Sequence, residues 1–323
     1  GYYRWQTSLE QLDRLVDDID ELTNREKIAV LGNSEALLNA GKLSLADYMF
    51  VINTLIRERH PLVFLPALEK LITIGNEFVD AKTDEAFARY VDSALTDRFQ
   101  EVGIDRRPGD SEAIIQMRPR LLRALGQFGS DEAARKAAAL LTDKYFESAD
   151  SVPSGMALEA MRVTALNDDG SRYDKYQKTY LSSTSERQKS NILSAVYFDN
   201  PDVVAKHLDF SISPAVPAGD ATKGIYAFGG LLDDPSAVYD WLEENLDAFK
   251  AKIPAFYHPM LPQVLGDTCS STGLQLLIEF FDQRDEKYAE SLARTVESAE
   301  SCIDRRKRHA ADLQNFLQPY SIH

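Results

Sequence analysis

Histidine is scarce in this chain and never stands next to glutamate. The five residues His60, His207, His258, His309 and His323 are scattered, so neither a zinc hydrolase motif nor a histidine-assisted nucleophile is readily assembled from them. Cysteine is scarcer still. Cys269 and Cys302 are the only two, and neither lies in a Cys-x-x-Cys pair, which excludes a cysteine-built zinc site and a disulfide-rich scaffold. The two could pair with each other, but buried or surface thiols are the expectation. No run approaches the roughly 18 apolar residues of a membrane span. The longest suggestive stretch, 48–56, is interrupted by Asn53 and Thr54. The glycine patterns of dinucleotide and phosphate loops and the Gly-x-Ser-x-Gly elbow are missing too. Phe228-Gly229-Gly230 reads as a turn, and the acidic pairs Asp168-Asp169 and Asp233-Asp234 lie at turn signals.

The charge balance removes another class of partner. Acidic residues outnumber Lys and Arg by 51 to 36, a formal net charge of -15, which disfavours nucleic acid held through its phosphates. The one dense basic run, Arg305, Arg306, Lys307 and Arg308, is expected to close a helix over 287–309 and to complement the negative end of that helix.

What is present is a recurrent amphipathic helix followed by a tight turn. Leu9, Leu12, Val16 and Ile19 form an apolar stripe with Asp13, Asp17, Asp18 and Asp20 turned away from it. Thr23 and Glu26 have capping-box spacing, as do Ser185 and Gln188, and Ser44 with Asp47 gives a weaker acidic form. Gly41 is placed to stop the helix that Thr23 starts. Further helices are expected over 62–78, 83–99, 111–128, 131–146, 153–166, 173–181, 203–208, 235–249 and 273–281. Strict apolar-polar alternation is almost absent. The first five residues are the exception and read as an extended piece, so the chain is expected to be cut from something longer.

The fold class expected is therefore all-α, a superhelical stack of antiparallel helix pairs of HEAT or armadillo type, with repeats of about 35 to 45 residues. Residues 1–5 would be an extended piece or the remnant of a sheet left behind by truncation. Residues 6–323 would form a single helical solenoid, with a possible change of course near 210–220, where Pro214, Pro217 and Gly219 loosen the pattern. A stack of this kind carries a concave face able to bind a chain segment.

Three arginines are candidate peptide-binding residues on such a face. Arg120 and Arg123 lie three apart on one helix near Arg118, and a guanidinium fork suits a carboxylate, although in an acidic protein the ordinary explanation is pairing with a nearby Asp or Glu. Arg187, beside Glu186, is open to the same two readings. Trp241 and Asn245 are four apart and read as structural, the ring packing while the amide bonds to an adjacent turn.

The order of segments resembles the C-terminal domain of the zinc aminopeptidase family that includes aminopeptidase N, the puromycin-sensitive enzyme and the endoplasmic-reticulum aminopeptidases. Gly1-Tyr2-Tyr3-Arg4 looks like that family's junction strand, which implies that residues 1–5 are the remnant of a junction with a preceding β-sandwich domain. Residues 35–41, Glu-Ala-Leu-Leu-Asn-Ala-Gly, resemble its next helix, though the family more often has Asp where Asn33 or Ser34 stands. Glu186-Arg187 with Ile192-Leu193-Ser194-Ala195 is similar to its mid-domain repeat, and Trp241 to Asn245 to its Trp-x-x-x-Asn helix. Phe280-Phe281, followed by a long helix ending near Arg305-Arg306, is similar to its closing segment.

The resemblance implies a helical bowl over the active site of a separate catalytic domain. That domain would supply the His-Glu-x-x-His motif, the third zinc ligand and the Gly-x-Met-Glu-Asn motif. None of these is in the sequence, so no catalytic or metal residue is assigned to this chain, and zinc is expected in the absent domain. The implied partners are a peptide substrate and the catalytic domain of the same polypeptide, with no nucleic acid and no membrane span in this segment. Two other readings stand beside it: a freestanding scaffold that binds protein segments, and a phosphate-binding regulatory domain acting through Arg305 to Arg308.

Overall fold

The computed structural model describes residues 9–226, 228, 232, 234–266, 268–282, 284 and 286–321. The extended piece expected at residues 1–5 lies outside them. Among the described residues the secondary structure is entirely helical, with sixteen α-helices and four short 3-10 turns. By contacts the chain divides into two compact units, 1–134 with 305–323, and 135–304.

The first unit holds α1 (Leu9–Asp17), α2 (Asn24–Asn39), α3 (Leu45–Leu55), α4 (Pro61–Phe78), α5 (Asp84–Val102), α6 (Glu112–Phe128) and the end of α16 (Ala289–Leu317). Its helix ends follow from local chemistry. Thr23 caps α2 through a complete box: the Thr23 amide donates to Glu26 Oε2 at 2.7 Å and the Glu26 amide to Thr23 Oγ1 at 3.4 Å. That amide, and then the Thr23 hydroxyl, hold the Glu26 carboxyl below its ordinary range. At the other end Gly41 adopts φ +68, so the amides of Gly41 and Lys42 reach back to the carbonyls of Leu38 and Leu37. A side chain there would be strained.

The apolar stripes of these helices then meet. Leu45, Ile52 and Leu55 of α3, Phe64 and Leu68 of α4, Leu95 of α5, and Leu121 and Leu125 of α6 are fully buried. Helices α4 and α6 approach closely because Gly75 has no side chain; a Cβ there would stand 2.6 Å from the Phe128 ring. Tyr90 packs edge-on to Phe316 and Tyr320, at ring-centroid distances of 5.1 and 5.2 Å, which seats the chain's last helical residues on α5.

The second unit carries α7 (Glu132–Glu147), α8 (Ser154–Leu166), α9 (Tyr173–Ser182), α10 (Glu186–Leu193), α11 (Pro201–Ile212), α12 (Ala221–Tyr226), α13 (Ser236–Lys252), α14 (Leu261–Leu265) and α15 (Ser271–Phe281), with the start of α16. Its core is aromatic. Tyr176 packs edge-on to Phe146 and Phe198, and its hydroxyl donates to the Met161 carbonyl at 2.7 Å, so a large polar ring is buried with its one polar atom satisfied. Burial pushes the Tyr176 phenol well above its ordinary range.

Two expectations are corrected here. Cys269 and Cys302 are not thiols: they form a disulfide, Cα to Cα 5.3 Å, joining the segment before α15 to α16. Spacing alone gave no reason to pair two cysteines 33 residues apart; the helix packing that brings them together does. The closing helix also does not stop at His309 but continues to Leu317, because Leu313 and Leu317 extend its buried stripe into the first unit.

Candidate functional site

Arg120 and Arg123 stand on the same half-buried stripe of α6, beside α4. Arg120 Nε donates to the Glu69 carboxylate of α4, and its Nη1 donates to the Gln116 carbonyl at 2.9 Å. Arg123 is half-buried; its Nε donates to Gln127 Oε1 at 3.3 Å, and the Gln127 amide donates to Asn76 Oδ1 of α4 at 2.9 Å. The result is a polar seam across two helices that includes an ion pair whose partners are 38% and 47% exposed. Solvent screens a pair of that kind, so it contributes little to stability and is open to exchange with another anion.

Arg187 belongs to the second unit, on α10. It is exposed, and its guanidinium has no hydrogen-bond or ion-pair partner among the described residues. The box that precedes it is only half formed. Ser185 Oγ accepts from the Gln188 amide at 3.3 Å, but the buried Gln188 side chain donates to the Tyr145 carbonyl at 2.6 Å instead of returning to Ser185. A buried carbonyl in need of a donor outweighs a cap that water can replace. Asn191 donates to the Tyr145 hydroxyl at 3.1 Å and to Ser154, tying α10 to α7 and α8.

Trp241 is buried on α13, and its indole N–H donates to Asp209 Oδ1 of α11 at 2.7 Å. Asn245 departs from expectation. Its amide donates to the Trp241 carbonyl of its own helix at 2.9 Å, not to an adjacent turn, because four residues bring a short amide back onto that carbonyl.

The basic run does not complement the end of its own helix either. It lies within α16, where Arg305 binds Glu77 at 3.3 Å and Asn39 Oδ1 at 3.2 Å, and Arg306 donates to the Val79 carbonyl. Asn39 and Val79 mark the C-terminal ends of α2 and α4, so the arginines serve the negative ends of two other helices.

One arginine that the sequence reading left without a role is the most deeply placed. Arg118 is 4% exposed; Nε donates to the Gly103 carbonyl at 3.1 Å, and Nη2 to the Val102 carbonyl at 3.2 Å and to Asp110 at 2.6 Å. It closes the end of α5 and the loop leading to α6. The Arg107 amide, and after it the Arg118 guanidinium, hold the Asp110 carboxyl below its ordinary range. The Pro108-Gly109-Asp110 turn was the available signal, since it returns a carboxylate toward the helix that Ser111 caps.

Among the described residues no group of three or more His, Cys, Asp and Glu could hold a metal ion. His309 comes nearest to a reactive arrangement, its Nδ1 lying 2.8 Å from Asp312 Oδ2, but that oxygen also accepts the Leu45 amide at 3.2 Å and fixes the start of α3. No helix among the described residues is long and apolar enough to cross a membrane.

The described residues thus define a class: an all-helical domain with polar seams between helices and no assembled catalytic constellation. Residues 1–301 match the model of the ERAP1-like C-terminal domain, and the chain belongs to that family. It is 24% identical to Aminopeptidase M1-A of Oryza sativa subsp. japonica over 321 residues, 93% of this chain and 35% of that protein. It is 26% identical to Aminopeptidase M1 of Arabidopsis thaliana, over 76% of this chain and 29% of that protein. Against Aminopeptidase N of Lactococcus lactis subsp. cremoris (strain MG1363) the identity is 23%, over 57% and 22%. The chain therefore spans about a third or less of the length of these relatives.

Proposed function

We propose that this chain is the C-terminal helical domain of a zinc-dependent aminopeptidase, covering an active site held elsewhere in the polypeptide and helping to control peptide access to it. The observation that carries this reading is the family match along 1–301 together with relatives named aminopeptidases. The described residues of this chain do not fit a zinc ion, so the metal is assigned to the remaining portion and no chemical step is assigned to these residues.

The chain's own contribution would be to bind and orient the distal part of a peptide through arginines carried by each unit separately. Arg120 and Arg123 on the seam of α4 and α6, and the unpaired Arg187 on α10, are the side chains that would meet peptide carboxylates. Arg120 would have to exchange Glu69 for a substrate anion, which its half-exposed pair permits. Binding remote parts of a substrate in this way raises selectivity without touching the scissile bond.

The test is an assay of the chain alone and of the full polypeptide against aminoacyl p-nitroanilides, with and without added zinc. The reading expects hydrolysis only from the full polypeptide. Hydrolysis by the chain alone that survives removal of contaminating peptidase would overturn it.

A further inference from the structure

Next to the turn that leads into α2, the first unit holds an open concavity of about 610 Å³ that the aminopeptidase reading does not use. Its size falls among small-ligand sites, roughly 300–1,000 Å³. The lining is the C-terminal half of α3 and the residues just after it, together with Ile19 and Asp20. Phe50 presents an aromatic ring that is 45% exposed, unusual for a helix whose other large apolar residues are buried.

The polar groups around that ring are unevenly committed. Glu58 is taken: its carboxylate pairs with Lys27 at 2.5 Å, with the two side chains 18% and 7% exposed. Thr54 is also taken, its hydroxyl donating to the Phe50 carbonyl at 3.0 Å. The side chains of Arg57, Arg59 and Asn53 have no hydrogen-bond or ion-pair partner among the described residues, and both arginines are exposed. Asp20 is the one free carboxylate on the rim. Two uncommitted guanidinium groups and an amide therefore line the concavity with one uncommitted anion and an apolar ring.

From this we infer that the concavity is a binding site for an acidic peptide segment, one carboxylate side chain lying between Arg57 and Arg59 and a neighbouring apolar side chain resting on Phe50. Guanidinium groups hold carboxylates through paired N–H donors, and an aromatic floor supplies the apolar half of the contact. Asp20 and the carbonyl end of α3 both repel a dense anion, which favours a singly charged carboxylate over a phosphate. Nothing in this arrangement depends on where the catalytic residues of the parent protein lie.

The probe is a fluorescein-labelled peptide, Gly-Gly-Glu-Phe-Gly, capped at its C-terminus as an amide so that the side chain supplies the carboxylate. Its binding to the chain would be followed by fluorescence anisotropy at low and at physiological salt. The Glu peptide is expected to bind at least tenfold more tightly than its Gln counterpart, and to weaken as salt rises. Arg57→Gln with Arg59→Gln should weaken the Glu peptide about tenfold and leave the Gln peptide unchanged; Phe50→Ala should weaken both. All three positions are exposed, and unchanged circular dichroism and melting would show that the variants fold. Equal binding of the two peptides, indifference to the double arginine variant, or no measurable binding would overturn the inference. Preferential binding of phenyl phosphate, at the same Arg57 and Arg59, would overturn the peptide assignment.

Discussion

His207 should make the second unit acid-labile in a way that a single substitution removes. The ring is 1% exposed among Tyr173, Phe210 and Phe228; Nδ1 lies 3.3 Å from the Tyr173 hydroxyl, and Nε2 has no partner. Gly224 of α12 is what lets it fit, since a Cβ there would stand 3.0 Å from Nε2 and 2.0 Å from Ser211 Oγ. Burial pushes the imidazole down from 6.5 to about 3. Between those values the unfolded chain binds a proton that the folded chain refuses, so this residue lowers stability as pH falls through 6.5 and stops doing so near pH 3. At about 1.4 kcal/mol per unit, the loss between pH 7.5 and pH 4.5 is on the order of 2–3 kcal/mol.

The comparison is between the parent chain and His207→Phe, both in a Trp5→Phe background so that Trp241, hydrogen-bonded to Asp209 of the same helix α11, alone reports urea unfolding. Other groups titrate in both chains and cancel. The stability difference between parent and variant should move by roughly 2–3 kcal/mol toward the variant as pH drops to 4.5. His207→Gln serves the same purpose if the larger ring prevents folding. A difference that stays constant across this range would show that the imidazole is hydrated in the native state, and would refute the reasoning.

Removing the disulfide by Cys269→Ala with Cys302→Ala should cost about 3.7 kcal/mol of the second unit's stability, the loop-closure value for 33 residues, read by the same urea titration. Arg118→Met strips the Val102 and Gly103 carbonyls of their donor and should cost about 3 kcal/mol in chemical denaturation of the first unit, far more than Arg120→Met at the half-buried seam. Gly75→Ala places a methyl group against Phe128 and should cost about 1–3 kcal/mol, measured as a lowered melting temperature with unchanged helical circular dichroism.

The helices were legible because their apolar residues recur at helical spacing and their caps are local: Thr23 with Glu26, and Gly41 after Asn39, need no knowledge of the rest of the chain. Long-range contacts were not legible. Whether Arg120 is free or paired depends on Glu69, 51 residues away, and the fate of Gln188 depends on Tyr145, 43 residues away. The basic run misled for the same reason: four cations at 305–308 look like a helix end until Asn39, Glu77 and Val79 are seen to lie beside them. Arg118 and Arg120 differ by two positions in sequence, which on a helix turns one into the protein and the other toward solvent. The family resemblance was readable because it rests on the order of such local segments rather than on any one contact.

The most direct test of the proposed role is peptide-length dependence in the full polypeptide carrying Arg120→Gln and Arg123→Gln. If this domain holds the distal part of a peptide, KM for a nonapeptide should rise several-fold while KM for leucine p-nitroanilide and kcat for both stay unchanged. Equal effects on the two substrates, or a change in kcat alone, would contradict it.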